Sequence, residues 1–247
     1  MISKCWVVTA LCAAMAWAQP ANQAGIAHVA FRVADLANAR AFYNQLGFEQ
    51  FFEMKQGERT TEAFLKINDR QFIELYPRTD PSQALGLMHI CYESSDLEAL
   101  HAELVKRGLT VSDVRKAGAG NLLMTMKDPE GQTIEFTQYM PGSRHFEDRG
   151  KHLGANRVST KLVGVTMIAR DAAAMRKFYL DKLPFIGPEL DIEALGSDVH
   201  TGIQFGISDL DQTAAALARL GLPIQSDVTR LMVTDPDGML VAFVKGY

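Results

Sequence analysis

His28 and His89 begin the same arithmetic. Each is followed by an Asp at +7 (Asp35, Asp96), a Gly at +19 (Gly47, Gly108) and a Glu at +46 (Glu74, Glu135). Spacing of this kind marks a duplicated supersecondary unit, and a duplicated unit restricts the chain to a repeat architecture. Two imidazoles and two carboxylates at matched positions of two pseudo-symmetric repeats can converge on one divalent cation.

The unit occurs twice more. The stretches His28–Asp35, His89–Asp96, Gly164–Asp171 and Gly202–Asp209 align without a gap. Each is a strand-like run closing on an Asp, which suits a helix N-cap. The next dozen residues carry helical apolar spacing, as in Leu36, Ala39, Phe42, Leu46 and in Leu97, Leu100, Leu104. Gly47, Gly108 and Gly221, or Leu183-Pro184 in the third copy, stop the helices. β-rich pieces follow, and Asp128-Pro-Glu-Gly131 and Asp235-Pro-Asp-Gly238 form tight turns before a last strand. The fold class expected is therefore α+β: four βαβββ-type repeats paired into two modules. The repeats start at 28, 89, 164 and 202, so the third is truncated.

The domain plan is a signal peptide at 1–18, a metal-binding module at 25–140, a linker at 141–160 and a degenerate module at 161–247. Met1-Ile-Ser-Lys4 leads into an apolar run from Cys5 to Trp17, too short to span a bilayer, that ends at Ala16-Trp17-Ala18. An exported protein, periplasmic or secreted, is expected. Cleavage removes Cys5 and Cys12, leaving Cys91 without an internal disulfide partner, so a packed core must supply stability. A net charge of −4 without like-charge blocks gives no basis for nucleic-acid binding, or for membrane binding after cleavage. Between the modules the chain is rich in Gly, Arg and Lys. His145, His152, Arg144 and Arg149 lie there, and a solvated linker is the simplest reading, with a lid across the site as the alternative.

Strand alternation puts His28 on one face with Ala30 and Arg32, opposite Val29, Phe31 and Val33. By the same parity Glu74 shares a face with Tyr76, Glu135 with Tyr139, and His89 with Cys91 and Glu93. All four candidate ligands thus lie opposite the most apolar face of their strands. Any one of them alone needs no metal to explain it, and that simple explanation weakens when all four must be explained together. The second pair of units has Gly164 and Gly202 at the His positions and Ala242 opposite Glu135, so the fold itself does not force these residue types. Arg32, Tyr76, Glu93 and Tyr139 are expected to face substrate. Cys91, a lone thiol on a strand, is expected to serve in packing.

A paired βαβββ unit with His on the first strand and Glu on the last resembles the vicinal oxygen chelate superfamily of glyoxalases, bleomycin-resistance proteins and extradiol dioxygenases. Ala27–Leu36, Phe72–Leu75, Met88–Ile90 and Asp128–Phe136 carry the resemblance, which spans residues 25 to 247. It implies an open metal site that takes two oxygens of a small substrate. The set His28, Glu74, His89 and Glu135 looks most like glyoxalase I, where ligand glutamates also move protons. By that analogy Glu135 is the catalytic base and Glu74 its partner, in lyase, isomerase or epimerase chemistry. One divalent ion is implied, and zinc, nickel, manganese and iron(II) all suit these donors.

Two alternatives stand beside this. An extradiol-type dioxygenase would use a triad of His28, His89 and Glu135, with Glu74 surplus. It would also want a further acid–base histidine, which the sequence does not reveal. A two-module chain with one silent module suits that reading, although such dioxygenases usually keep the metal in the second module. A non-enzymatic binding or resistance protein would lack the metal ligands present here. Paired units within one chain can close the cup themselves or exchange between two chains, so monomer and homodimer both remain open.

Overall fold

In each copy the chain leaves a strand, reaches an aspartate and turns into a helix. The computed structural model describes residues 23–186, 189–196 and 201–246, so the signal peptide expected at 1–18 lies outside the described residues. The first copy runs β1 (Gln23–Val33), α1 (Leu36–Gln45), β2 (Glu49–Gln56), β3 (Arg59–Lys66) and β4 (Phe72–Pro77). The second runs β5 (Gly86–Ser94), α2 (Leu97–Lys106), β6 (Arg115–Lys116), β7 (Leu122–Lys127) and β8 (Thr133–Gln138). A four-residue helix, α3 (Arg144–Glu147), comes next. Then follow β9 (Leu162–Ala169), α4 (Ala172–Lys182) and β10 (Leu190–Ala194), and after them β11 (Gly202–Ile207), α5 (Leu210–Arg219), β12 (Gln225–Ser226), β13 (Arg230–Thr234) and β14 (Leu240–Lys245). Between α4 and β11 the described residues form a single strand, where the first copy has three between α1 and β5.

The aspartates explain the regularity. Asp35, Asp96, Asp171 and Asp209 each accept a hydrogen bond from the backbone N–H three residues on, at 2.8 to 3.0 Å. Each such N-cap contributes about 1 kcal/mol to its helix.

The chain forms a mixed α+β fold of two curled sheets. One has the order β2-β3-β4-β1-β5-β8-β7-β6 and the other β10-β9-β11-β14-β13-β12. In the first sheet β1 and β5 meet antiparallel at the centre, and each has its own parallel partner, β4 or β8. Val29, Phe31 and Val33 point away from the cup and are at most 1% exposed, packed in one core with Ala39, Phe42 and Leu46. Burial of each large apolar side chain stabilises by about 1.5–3 kcal/mol.

Two reciprocal hydrogen bonds tie the sheets' helices and turns together. Tyr43 of α1 donates to Asp235 Oδ2 at 3.2 Å, and Tyr179 of α4 donates to Asp128 Oδ2 at 3.0 Å. Asp128 and Asp235 also hold their own turns, each accepting two backbone N–H bonds through Oδ1. The tyrosines occupy one repeat position, fifteen residues after His28 and Gly164. Phe48 stacks on Phe205 across the same junction, with ring centroids 4.8 Å apart.

The stretch 141–160 is anchored on the first sheet at a few buried points, while more than half of its residues are exposed. Lys66, fully buried, reaches Asp148 Oδ2 at 2.9 Å, the Asp148 carbonyl at 2.6 Å and Asp69 Oδ1 at 2.8 Å. Arg157 donates to the Ile67 carbonyl at 2.6 Å. The stretch also runs so close to the end of α1 that a Cβ on Gly47, whose φ is +88°, would lie 2.6 Å from the Arg157 Cα. Composition suggested solvent because it counts charges without their partners, and here a buried lysine supplies one.

Candidate metal centre

The register of the first sheet brings the candidate ligands together. His28 lies opposite Cys91, which lies opposite Glu135; His89 lies opposite Ala30, which lies opposite Glu74. The two rungs, each a His and a Glu flanking a small residue, are the duplicated unit's arithmetic made spatial. Residues abreast on neighbouring strands have Cβ atoms about 4.5–5.5 Å apart, so the longer outer side chains can lean together over the small one.

They do lean together. His28 Nε2 is 3.0 Å from His89 Nε2, 3.3 Å from Glu74 Oε1 and 3.4 Å from Glu135 Oε1, and His89 Nε2 is 3.5 Å from Glu74 Oε2. Donors about 2.1 Å from one first-row cation stand about 3.0 to 3.4 Å apart, so His28, Glu74 and His89 are spaced for a shared ion, while Glu135 groups with His28 and Cys91 and reaches the set through His28. The chemistry of the set fits as well, since two imidazole Nε2 atoms face each other and two carboxylates surround them. His28 and Glu74 are 4% and 5% exposed.

The clustered imidazoles and carboxylates also shift one another's protonation. Burial raises the Glu74 carboxyl, but His28 and His89 more than offset it and hold the group at about 2. His28 is raised despite burial, because Glu74 and Glu135 stabilise its protonated form. Glu62, on β3, is pushed up to about 9 by burial and by the Glu74 charge.

A cavity of about 220 Å³ opens on this centre, and His28, Glu74 and Glu135 line it together with Tyr76 and Tyr139, while His89 stands behind His28 and does not line it. The Tyr76 hydroxyl lies 2.5 Å from Glu62 Oε1 and 3.3 Å from Glu74 Oε2, with one proton to share between them. Tyr139 donates to the Arg70 carbonyl at 3.1 Å.

Arg32 and Glu93 correct the parity argument, for neither lines the cavity. The β1–β5 pairing shifts register between Ala30 and Phe31, and beyond that shift Arg32 donates to the Ala84 carbonyl at 3.2 Å. Glu93 lies the other way along β5 and is held by Arg70 through two contacts of 2.8 and 2.9 Å. Parity sets the face of a strand but not the position along it. Cys91 is buried on the cup floor, and its sulfur forms a close group with His28 and Glu135.

Two residues of the site escaped sequence reasoning. Glu62 has no acidic counterpart in the second copy, so the repeat that revealed the ligands hid it. His145 was assigned to solvent, yet it is 4% exposed and lines the cavity. Ser143 caps the short α3 by accepting from Phe146 N–H at 3.2 Å, and the turn delivers the imidazole among Phe51, Phe52, Phe64, Phe72 and Tyr139. The Met140 N–H donates to Asn121 Oδ1 at 3.3 Å, which leaves the amide nitrogen to donate to His145 Nδ1 at 2.9 Å. Nε2 therefore carries the ring proton, and it has no partner in the protein. Burial depresses this imidazole to about 4, so it is neutral near pH 7.

No curated protein matches the chain in sequence. Solved structures do match in fold. The 2,3-dioxygenase LapB from Pseudomonas sp. KL28 superposes with a TM-score of 0.70 at 15% identity, over 91% of this chain and 93% of that one. The Mn(II)-bound glyoxalase from Novosphingobium aromaticivorans gives 0.69 at 16%, over 91% and 82%. Homoprotocatechuate 2,3-dioxygenase from Brevibacterium fuscum, in complex with 3,4-dihydroxyphenylacetate, gives 0.65 at 16%, over 91% and 81%. Identities this low show a common fold. Residues 25–136, which hold all four candidate ligands, match the model of the Glyoxalase/Bleomycin resistance protein/Dioxygenase superfamily.

Proposed function

We propose that the protein is a metal-dependent enzyme that moves a proton on a small substrate bearing two neighbouring oxygens, in lyase, isomerase or epimerase chemistry. The observation that carries this reading is Glu74, whose carboxylate stands 3.3 Å from His28 Nε2 and 3.5 Å from His89 Nε2. With it the chain offers four donors, His28, Glu74, His89 and Glu135. Four protein donors leave a six-coordinate cation two positions, enough for two substrate oxygens but not for dioxygen beside them. A three-donor triad leaves that extra position.

A bound divalent cation would polarise the substrate's oxygens as a Lewis acid. The protein's own part is to hold and move the proton. Glu135 is the more accessible of the two ligand carboxylates, its side chain 13% exposed against 6% for Glu74, and it is the candidate base. Tyr76 and Tyr139 wall the cavity and limit water around that carboxylate.

His145 favours a second reading. An unpartnered imidazole N–H in the cavity is the feature that an extradiol-type dioxygenase needs and that the sequence did not reveal, and LapB is named a 2,3-dioxygenase. The two readings separate in one experiment. Metal-loaded protein is offered α-hydroxyketones, hemithioacetals and catechols while solvent deuterium incorporation and oxygen uptake are both followed. Deuterium uptake without oxygen consumption, lost in Glu74→Gln, supports proton transfer. Oxygen uptake on catechols that survives Glu74→Gln overturns it. We further propose export of the chain through residues 1–18, which N-terminal sequencing of the mature protein checks.

A further inference from the structure

The two ligand glutamates occupy equivalent strand positions but have unequal neighbours. Beside Glu74, two residues on, stands Tyr76, whose hydroxyl bonds Glu62 at 2.5 Å and lies 3.3 Å from Glu74 Oε2. The residues 61 positions later, which match Tyr76 and Glu62 as Glu135 matches Glu74, are Thr137 and Leu123. These two face each other across β7 and β8. Leu123 has no polar atom to offer, and the Thr137 hydroxyl is committed to the Leu122 carbonyl at 3.0 Å. One glutamate is therefore gripped from behind, and its twin is not.

We propose that Tyr76 is a positioning residue that holds the Glu74 carboxylate toward the two imidazoles, with Glu62 in turn fixing the Tyr76 oxygen. The inference rests on the four-donor reading above and deepens it. The phenol has one proton to share between two carboxyl groups, and the short contact with Glu62 pins its oxygen 3.3 Å from Glu74 Oε2 whatever occupies the cavity. Outer partners of this kind orient metal ligands, and their loss costs roughly 10–100-fold in metal affinity. Thr137 cannot replace Tyr76, because its short side chain is already satisfied by its neighbouring strand.

The test uses the full chain and Co(II) alone, with affinity measured by chelator competition and coordination followed by the visible absorption of the bound ion. Tyr76→Phe keeps the ring and removes only the hydroxyl. It is expected to weaken Co(II) binding by roughly 10–100-fold and to change the absorption. Glu62→Gln keeps a polar amide that can pair with the Tyr76 hydroxyl and should stay close to the parent protein, whereas Glu62→Ala should behave like Tyr76→Phe. Thr137→Val should leave affinity unchanged. Circular dichroism of each variant checks folding, and only folded variants are compared. Should Glu74→Gln weaken Co(II) while Tyr76→Phe does not, the positioning role is wrong and the four-donor reading survives. Should Glu74→Gln itself leave affinity unchanged, the four-donor reading falls first. An equal loss in Thr137→Val and Tyr76→Phe would overturn the asymmetry between the two glutamates.

Discussion

The two sheets repeat one plan, and among the described residues only the first brings histidines and glutamates together at the repeat's matched positions. There His28 approaches Glu74, His89 and Glu135. In the second, the equivalent strands place Gly164, Asp191, Gly202 and Ala242, since Asp191 lies opposite Thr166 as Glu74 lies opposite Ala30, and Ala242 lies opposite Gln204 as Glu135 lies opposite Cys91. The second cup has also closed over the position of one lost ligand. A Cβ on Gly202 would meet the Leu240 carbonyl oxygen at 2.4 Å, a backbone contact that cannot give way cheaply. The fold thus supplies the positions and not the chemistry. Once the imidazoles are gone, the strands are free to approach more closely.

The sharpest way to break this comparison is to remove one imidazole from the first cup. His89→Ala is expected to lower metal affinity by more than the roughly 10–100-fold that outer-shell changes cost, because it deletes a direct donor. Equilibrium dialysis against the divalent ions in turn checks this. Retention of one tightly bound ion per chain would move the site elsewhere.

Next in size is a pH effect confined to the first cup. His145 is held near 4, against an ordinary 6.5, by burial. Between those values the unfolded chain binds the proton and the folded one does not, so stability is full above about pH 6.5 and is lost as pH falls towards 4. A shift of that size amounts to about 3 kcal/mol at most. Because Glu62, pushed up to about 9, acts with the opposite sign, the loss is read as the difference between metal-free parent protein and His145→Phe melted across this range. A variant with the parent's slope would show that His145 is not buried neutral.

Much of the comparison was legible in the sequence. The aspartate N-caps, the helix stops and the paired His and Glu positions follow from local chemistry repeated at fixed spacing, and repetition raises a weak signal above chance. What could not be read depends on contacts that do not repeat. His145 reaches the cavity only because Lys66 pairs with Asp148 and Asn121 orients the ring, all across long sequence separations. Arg32 and Glu93 left the cavity because of one register shift and one ion pair. Asp191 escaped because the third repeat had lost the strands needed to count to it.

A smaller effect probes what binds the two cups together. Tyr43 and Tyr179 are buried, and each is the cross-sheet partner of a turn aspartate. Tyr43→Phe and Tyr179→Phe each leave a buried carboxylate oxygen without that donor, at a cost of about 1–3 kcal/mol. Denaturant unfolding should give similar losses for the two, because the contacts are symmetric. A large loss for one and none for the other would mean that the cups dock through one side only.

The smallest expected effect is the one that most directly tests the silence of the second cup. Asp191 is the single acid left at the four ligand positions there, and it is only partly buried. With glycine at both histidine positions it has no imidazole to join, and one carboxylate does not hold a divalent ion against water. Asp191→Asn should therefore leave metal stoichiometry at one per chain and change stability by no more than about 0.5 kcal/mol, as for other substitutions that break no core contact. Elemental analysis of the dialysed variant decides the matter. If the parent carried two ions and the variant one, the second cup would be a working site, and the difference between the cups would lie in which metal each prefers.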